Sequence, residues 1–454
     1  MLEEILDIRN VQKAFRRVTA NKGAGGIDGM QTDELRDYLN ANWQALRSDI
    51  LAGHYRPNAV RKVEIPKSSG GKRMLGIPTV IDRLIQQAIS QWLSPKYEGD
   101  FSSDSYGFRP DRNARQAVLK TQEYLNTGYT WIVELDLDKF FDRVNHDKLM
   151  YLLSLKIKDK RTLKLIGLYL NSGIMEDGLV SPRREGMPQG GPLSPLLSNV
   201  ILHELDAKLE ERGHRFVRYA DDCGIYLRSR KSAHGVMAGI SVYLEEGLKL
   251  KVNMEKSKVS RPGQSSLLGF SFYGSKEGWK MRISSKSLSA IKEKIREQTR
   301  RNQPFPLHQR ISKLQEIIRG WVNYFSIANA KGYMVKLDEL TRTRLRIVLW
   351  KQWKSITGRA RNLMKMGVVK SRAYQLANTR KGYCRTANSP TLLTTLDKKF
   401  FIGLGLDGFA IITIGKRHTK RSYSSKPPYT DRYVRWYERT DMEIIPIFLL
   451  DLAK

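Results

Sequence analysis

Cysteine is nearly absent from this chain: Cys223 and Cys384 are the only two among 454 residues. They are too few and too far apart in sequence for a disulfide framework or a Cys-based zinc site. Long apolar runs are also missing. Stretches such as "FAIITI" and "IIPIFLL" fall far short of the roughly 20 residues that a membrane-spanning helix needs. Acid is in short supply: 46 Asp and Glu face 79 Lys and Arg, a formal charge of +33. Such a balance calls for a long polyanion as partner; an anionic membrane surface competes, but no span supports insertion. The N-terminus "MLEEILDIRNVQKAF" has neither the basic-then-apolar build of a secretory signal nor the acid-poor composition of a transit peptide, so an intracellular location is expected. No regular repeat or low-complexity tract interrupts the chain. With 41% hydrophobic residues, its length allows about three domains.

Periodicity divides the sequence by texture. Residues 1–55 carry two stretches with apolar spacing near 3.6, "ILDIRNVQKAFRRV" and "DELRDYLNANWQALRSDIL", separated by the glycine-rich "NKGAGGIDG". "RKVEIPKSSGGKRMLGIP" then reads as two short strands around a Ser-Gly-Gly turn. Helical patterns return over 80–128, broken by "FSSDSYGFRPDR"; "WIVELDLDKFFD" at 131–142 is an apolar strand ending in acids. A further helical stretch runs to about Leu170, and "EGMPQGGPLSP" opens the helix "LLSNVILHELDAKLEER". Helices between non-adjacent strands predict an α+β domain that ends near residue 275. From about 285 the chain reads as successive helices. Within it, residues 341–380 hold eleven Lys or Arg and no acid, interleaved with Trp350, Trp353 and Tyr374, a mixture that suits RNA; a solvated basic face is the plain alternative.

One stretch raises a chemical problem. "FVRYADDCGIYL" reads as two strands, Phe216–Ala220 and Cys223–Leu227, whose only break is Asp221-Asp222. Adjacent carboxylates repel, and half-burial penalises their charge unless a cation sits between them. An acidic surface turn is the bland reading. Asp136, at the end of the apolar run "WIVELD", gives the pair a purpose: beside the hairpin it would complete a cluster of three carboxylates. Two Mg²⁺ ions would neutralise such a cluster and suit in-line phosphoryl transfer.

"YADD" between two strands, preceded by "LDLDKFFD" and "MPQGGPLSPLLSN", resembles the palm of a reverse transcriptase, and the wording is most similar to group II intron-encoded reverse transcriptase/maturases. The resemblance covers roughly residues 1–395. It implies a right-hand polymerase, α+β in class, with fingers and palm (mixed α/β, antiparallel palm sheet) followed by an α-helical thumb/maturase domain. The expected divisions are an N-terminal extension at 1–55, fingers and palm at 56–275, thumb/maturase at 285–395 and a tail of open role at 396–454. By the same resemblance Asp136, Asp221 and Asp222 would be the catalytic acids, the metal ligands being these three with the Leu137 carbonyl. Mg²⁺ is the implied cofactor, two ions with Mn²⁺ able to substitute.

The resemblance also implies roles for residues around that centre, each with a plain structural alternative. Lys67 and Arg73, on the finger hairpin, would neutralise the nucleotide's triphosphate, though an exposed basic hairpin is ordinary. Phe141 matches the position that rejects a 2′-hydroxyl, where core packing is the alternative. Gln189 would lie near the nucleotide, and Lys256 in "KVNMEKSKV" would assist pyrophosphate departure or simply be exposed. Arg109 and Arg112 of "YGFRPDRNA" are template candidates. "IIRGWVNYF" and "ANTRKGYCR" resemble the maturase region, which makes Arg342, Arg344, Arg346, Lys351, Lys354, Arg380 and Lys381 candidates for RNA contact.

Implied partners are structured group II intron RNA, an RNA template with DNA primer, target DNA and deoxynucleoside triphosphates, in bacterial, nucleoid-associated cytoplasm, with no membrane. The sequence has no pair of CxxC motifs and no His-rich finger after the maturase region, so the DNA endonuclease domain of some family members is not expected. The expected function is RNA-directed DNA polymerisation with intron splicing and retrohoming. Two alternatives stand beside it: a maturase-only splicing cofactor whose polymerase has lapsed, and a reverse transcriptase recruited to DNA repair or phage defence.

Overall fold

The structure, a computed structural model, describes residues 1–66, 72–176 and 178–412. These fall into two compact units, residues 1–268 and the residues from 269 onward. Among the described residues no helix is long and apolar enough to cross a membrane.

The first unit starts with the two helical stretches read from the sequence, Ile8–Ala20 and Leu35–Ala52. In Ile8–Ala20 the buried residues Val11, Ala14, Phe15 and Val18 recur at the spacing of one helix face, and the Asp7 side chain caps the start by accepting from the Arg9 N–H. This face is part of the unit's interior. Its residues share one hydrophobic core with helix Val80–Glu98, the strands around the acids and helix Ser194–Glu211. Helix Val80–Glu98 is the centre of that core: every residue from Val80 to Ser90 is buried, so neighbours cover it all round.

Two sheets rise from this core. The finger strands Val60–Pro66 and Lys72–Ile77 pair antiparallel, as the Ser-Gly-Gly turn suggested, and Ile174–Glu176 joins the first of them in parallel. Strand Leu179–Ser181 completes this sheet by pairing with Ile174–Glu176. That second hairpin was not foreseen, although the Asp-Gly in "IMEDGLV" is a hairpin signal. The palm sheet has the order Arg215–Tyr219, Asp222–Leu227, Trp131–Leu135, Lys258–Ser260, with every neighbouring pair antiparallel. Trp131–Leu135 is thus a central strand, which is why its Ile132, Val133 and Leu135 are buried.

The second unit opens with the hairpin Phe270–Ser275 and Gly278–Ile283, a few residues before the boundary expected near 275. Aromatic packing explains the assignment: the fully buried Phe270 ring lies 5.6 Å from that of Tyr324 and 4.9 Å from that of Phe325. Helices Ser285–Gln298, Leu307–Phe325 and Lys331–Gln352 follow, then shorter ones to Lys398–Gly403. Their buried stripes, such as Ile311, Leu314, Ile318 and Val322, repeat at helical spacing.

Candidate active site

The acidic hairpin turns one residue earlier than the sequence suggested. Tyr219 pairs with Asp222, so the two turn residues are Ala220 and Asp221, and Asp222 is the first residue of the returning strand. Ala220 takes a left-handed φ of 57° at the first turn position, where a two-residue hairpin usually places glycine. The neighbouring strand brings the third acid to the same place. Leu135 pairs with Cys223, so Asp136 is the next residue along, at the sheet end where Asp222 begins its strand. A one-residue slip of this pairing would move Asp136 away from the start of the Asp222 strand.

Local bonds hold Asp136 from both sides of its peptide. Its N–H donates to Ser257 Oγ at 3.0 Å, and its carbonyl accepts from the Asn253 N–H at 2.8 Å. The carboxylate, partly exposed, lies 3.5 Å from Lys256 Nζ. Leu137 bridges Val252 through bonds carried by Asp136 and Asp138, neither of which uses the Leu137 carbonyl. Asp138 instead faces Arg143 at 3.0 Å. Asp221 is half-buried and Asp222 exposed.

Three carboxylates and a carbonyl are hard oxygen donors, the set that Mg²⁺ or Mn²⁺ prefers. Among the described residues no three His, Cys, Asp or Glu side chains are grouped closely enough to chelate one ion. The backbone brings these donors to one end of the sheet. Behind them the thiol of Cys223 is pushed up to about 12 by burial, so it is a neutral core residue and not a ligand.

A second set of contacts builds the neighbourhood of Phe141 and Gln189. Met187 N–H donates to the Phe141 carbonyl at 2.6 Å, Gly186 N–H to that of Val144 at 2.7 Å, and His146 Nε2 lies 2.6 Å from the Gly186 carbonyl. Gly186 has φ of 79°, and a Cβ there would come within 2.7 Å of the Phe141 carbonyl, so the loop needs glycine at this point. The Gln189 carbonyl accepts from the Gly76 N–H at 2.9 Å, which staples the loop to the finger strand. Gln189, Gly76, Asp142, Arg183 and Lys62 line one shallow recess. The Phe141 ring is half-buried and packs edge-on against Phe140 at 5.1 Å, so part of it serves the core. Lys67 lies outside the described residues, and Arg73 is placed by its backbone in strand Lys72–Ile77.

Several cations singled out for template or RNA face inward. Arg109 is 7% exposed; it grips Glu98 at 2.7 Å and donates to the carbonyls of Ser102 and Ser105. Arg346 is 4% exposed and donates to the Leu396 carbonyl at 2.9 Å. Arg344 donates to Thr299 Oγ1 at 3.1 Å and further to the Arg296 and Thr299 carbonyls. Arg109 and Arg346 are thus braces of the fold, because a guanidinium that loses water must find acceptors and here finds backbone. Trp350 is also core, 2% exposed beneath the guanidinium of Arg359, and not an open stacking face. Arg112 and Arg342 are half-buried, whereas Lys351, Lys354, Arg380 and Lys381 are exposed. Sequence reasoning passed over Arg218, Asp206 and Asn199 behind the acidic turn; the readable signal was an arginine inside a strand otherwise built for burial.

Two successive segments of the chain match known protein families. Residues 65–272 match the family described as "Reverse transcriptase (RNA-dependent DNA polymerase)" and residues 288–367 match "Group II intron, maturase-specific domain". The chain is 34% identical over 302 residues to "Protein YkfC" of Escherichia coli (strain K12), covering 58% of this chain and 78% of that one. It is 39% identical over 194 residues to "Group II intron-encoded protein LtrA" of Lactococcus lactis subsp. cremoris, covering 42% and 32%. The "Putative COX1/OXI3 intron 2 protein" of Saccharomyces cerevisiae is 27% identical over 332 residues, covering 60% and 38%. The aligned part thus spans about a third of the length of the last two relatives. With the acids aligned at one sheet end and both sequence families matched in order, the chain belongs to the group II intron-encoded reverse transcriptase/maturases, a family of RNA-directed DNA polymerases.

Proposed function

We propose that this chain extends a DNA primer along an RNA template, with Asp136, Asp221 and Asp222 as the catalytic acids. The observation that carries this reading is the strand register, which sets Asp136 beside the start of Asp222–Leu227 and next to the Ala220–Asp221 turn. The three carboxylates, with the Leu137 carbonyl, would hold two Mg²⁺ ions. Ions held there would supply activation of the primer hydroxyl and charge stabilisation of the pyrophosphate leaving group. The protein's own part is positional: Ser257 and Asn253 fix the Asp136 peptide, and Lys256 supplies a cation at the edge of the site. Gln189 and Phe141 would border the incoming deoxynucleotide, Phe141 as an apolar wall that leaves a 2′-hydroxyl unsatisfied. Lys67 and Arg73 of the finger hairpin would meet its triphosphate, a point charge and a fork for phosphate oxygens.

The second unit would bind structured group II intron RNA, through the exposed cations Lys351, Lys354, Arg380 and Lys381 and the half-buried Arg342. Splicing support and retrohoming into target DNA are the biological roles proposed with it, on the strength of the maturase-specific match and the relatives' intron names. The test is primer extension: purified protein, a primed RNA template, Mg²⁺ and four deoxynucleotides should give full-length product. Asp221→Ala and Asp222→Ala should each abolish it while RNA affinity stays within several-fold. No extension by the unaltered chain under these conditions, with RNA binding intact, would instead favour a splicing cofactor without polymerase activity.

A further inference from the structure

Arg218 lies inside strand Arg215–Tyr219 and, like Asp206 on helix Ser194–Glu211, has no solvent exposure. A guanidinium stays charged at any ordinary pH, so burying one demands acceptors for its donors. Nε and Nη2 donate to the two Asp206 oxygens at 2.7 and 2.5 Å. Nη1 donates to Asn199 Oδ1 and to the main-chain carbonyl of Ala220, both at 3.0 Å. Asn199, two turns before Asp206 on the same helix, donates in turn to the Gly107 carbonyl at 2.9 Å. The Arg218 main chain is held as well: its N–H donates to the Asp104 carbonyl at 2.9 Å and its carbonyl accepts from the Tyr106 N–H at 2.8 Å.

The Ala220 carbonyl belongs to the peptide that joins Ala220 to Asp221. Ala220 sits in the left-handed region, which is unfavourable for a residue with a Cβ, so a turn left alone would relax. Gly107 presses on the same turn so closely that a Cβ there would lie 2.1 Å from the Ala220 nitrogen. Strain that persists in one place is strain that the surroundings hold, and here the holding atoms are a guanidinium and a packed glycine.

We infer that Arg218 is a positioning residue of the polymerase centre: braced by Asp206 and Asn199, it fixes the Ala220–Asp221 peptide in its strained turn and thereby aims the Asp221 carboxylate. The inference rests on the proposed polymerase reading. It also ties loop 104–107 and the acidic turn to one residue, since the loop bonds the Arg218 main chain and the turn bonds its guanidinium. A buried ion pair as such does not demand this role, because apolar side chains of similar volume often replace one without loss of stability. What apolar side chains cannot replace is the hydrogen bond to Ala220.

That asymmetry supplies the test. The full chain carrying Arg218→Met with Asp206→Leu, and separately Arg218→Lys, is compared with the unaltered chain in three measurements: thermal melting, Mn²⁺ titration without nucleotide, and single-nucleotide primer extension resolved into kcat and KM. The expected result is a folded double variant with primer-template affinity and nucleotide KM unchanged, while kcat and Mn²⁺ affinity each fall about 10- to 100-fold. Arg218→Lys keeps the charge opposite Asp206 but lacks the fork that reaches Ala220, and should fall in the same direction; it decides the matter if the double variant does not fold. Unaltered kcat and Mn²⁺ affinity in a folded variant, or a lowered melting temperature with both intact, would overturn the inference. Failure of the unaltered chain to extend primers would count against the polymerase reading instead, and the Mn²⁺ titration would still judge Arg218.

Discussion

The acidic end of the palm sheet and the basic run at 341–380 fold by different rules. In the sheet, side chains alternate between faces and the ladder stops at defined residues, so acids placed just past an apolar run arrive together at one edge. In the helix Lys331–Gln352, Arg342, Arg344 and Arg346 advance about 200° at each step of two residues, so they cannot all face the same way. Arg346 goes into the core and Arg344 braces Thr299, while Arg342 stays half-buried. A strand therefore delivers its terminal charges to a place that can be read in advance, whereas a basic helix states how much charge it has and not where that charge points.

Four measurements sharpen or break this contrast, the strongest first. Asp136→Ala should cut single-nucleotide incorporation by about 10⁴-fold, the size of effect seen when one member of a catalytic unit is removed. A loss under tenfold would mean that the sheet end is not the reactive edge. Arg346→Ala should destabilise the chain by about 1 to 3 kcal/mol in denaturant titration, because the Leu396 carbonyl loses its buried donor. Its RNA affinity at fixed folded fraction should not change. If affinity falls and stability does not, Arg346 turns outward in solution and the helix follows the sheet's rule after all.

Phe141→Ala should raise ribonucleotide use relative to deoxyribonucleotide use by about tenfold, measured as the ratio of kcat/KM values. An unchanged ratio with a lowered melting temperature would give the ring to the core alone. The smallest expected effect belongs to the exposed cations. Lys351→Ala or Lys381→Ala should each reduce the slope of log affinity against log salt by about 1 for structured RNA, with melting unaltered. A slope equal to that of the unaltered chain would leave that residue on a merely solvated face.

Much of the site was legible because the residues that carry it are out of place locally. Asp136 ends an apolar strand and Asp221-Asp222 interrupts another; burial makes such acids conspicuous. The position of the turn was not legible to the residue. Hairpin chemistry favours the two acids as the break, yet strand pairing moved the turn onto Ala220 and Asp221, at the expense of a left-handed alanine that Arg218 and Gly107 hold in place. Arg109 was misread for a similar reason. In "YGFRPDRNA" it reads as a template cation, but Glu98 and the carbonyls of Ser102 and Ser105 take up its donors.

By itself the sequence determined the kind of protein: most of its helices and strands, the α+β and then helical division, the conspicuous acids and the excess of positive charge. Those follow from local periodicity and from residues whose chemistry conflicts with their neighbours, and both are written along one dimension. Only the tertiary structure decided which arginines are ligands for the protein's own backbone and which remain exposed. A guanidinium's partners are set by what lies within 3 Å in space, and Asp206, Asn199 and Ala220 became the partners of Arg218 only when helix Ser194–Glu211 came to rest against the hairpin.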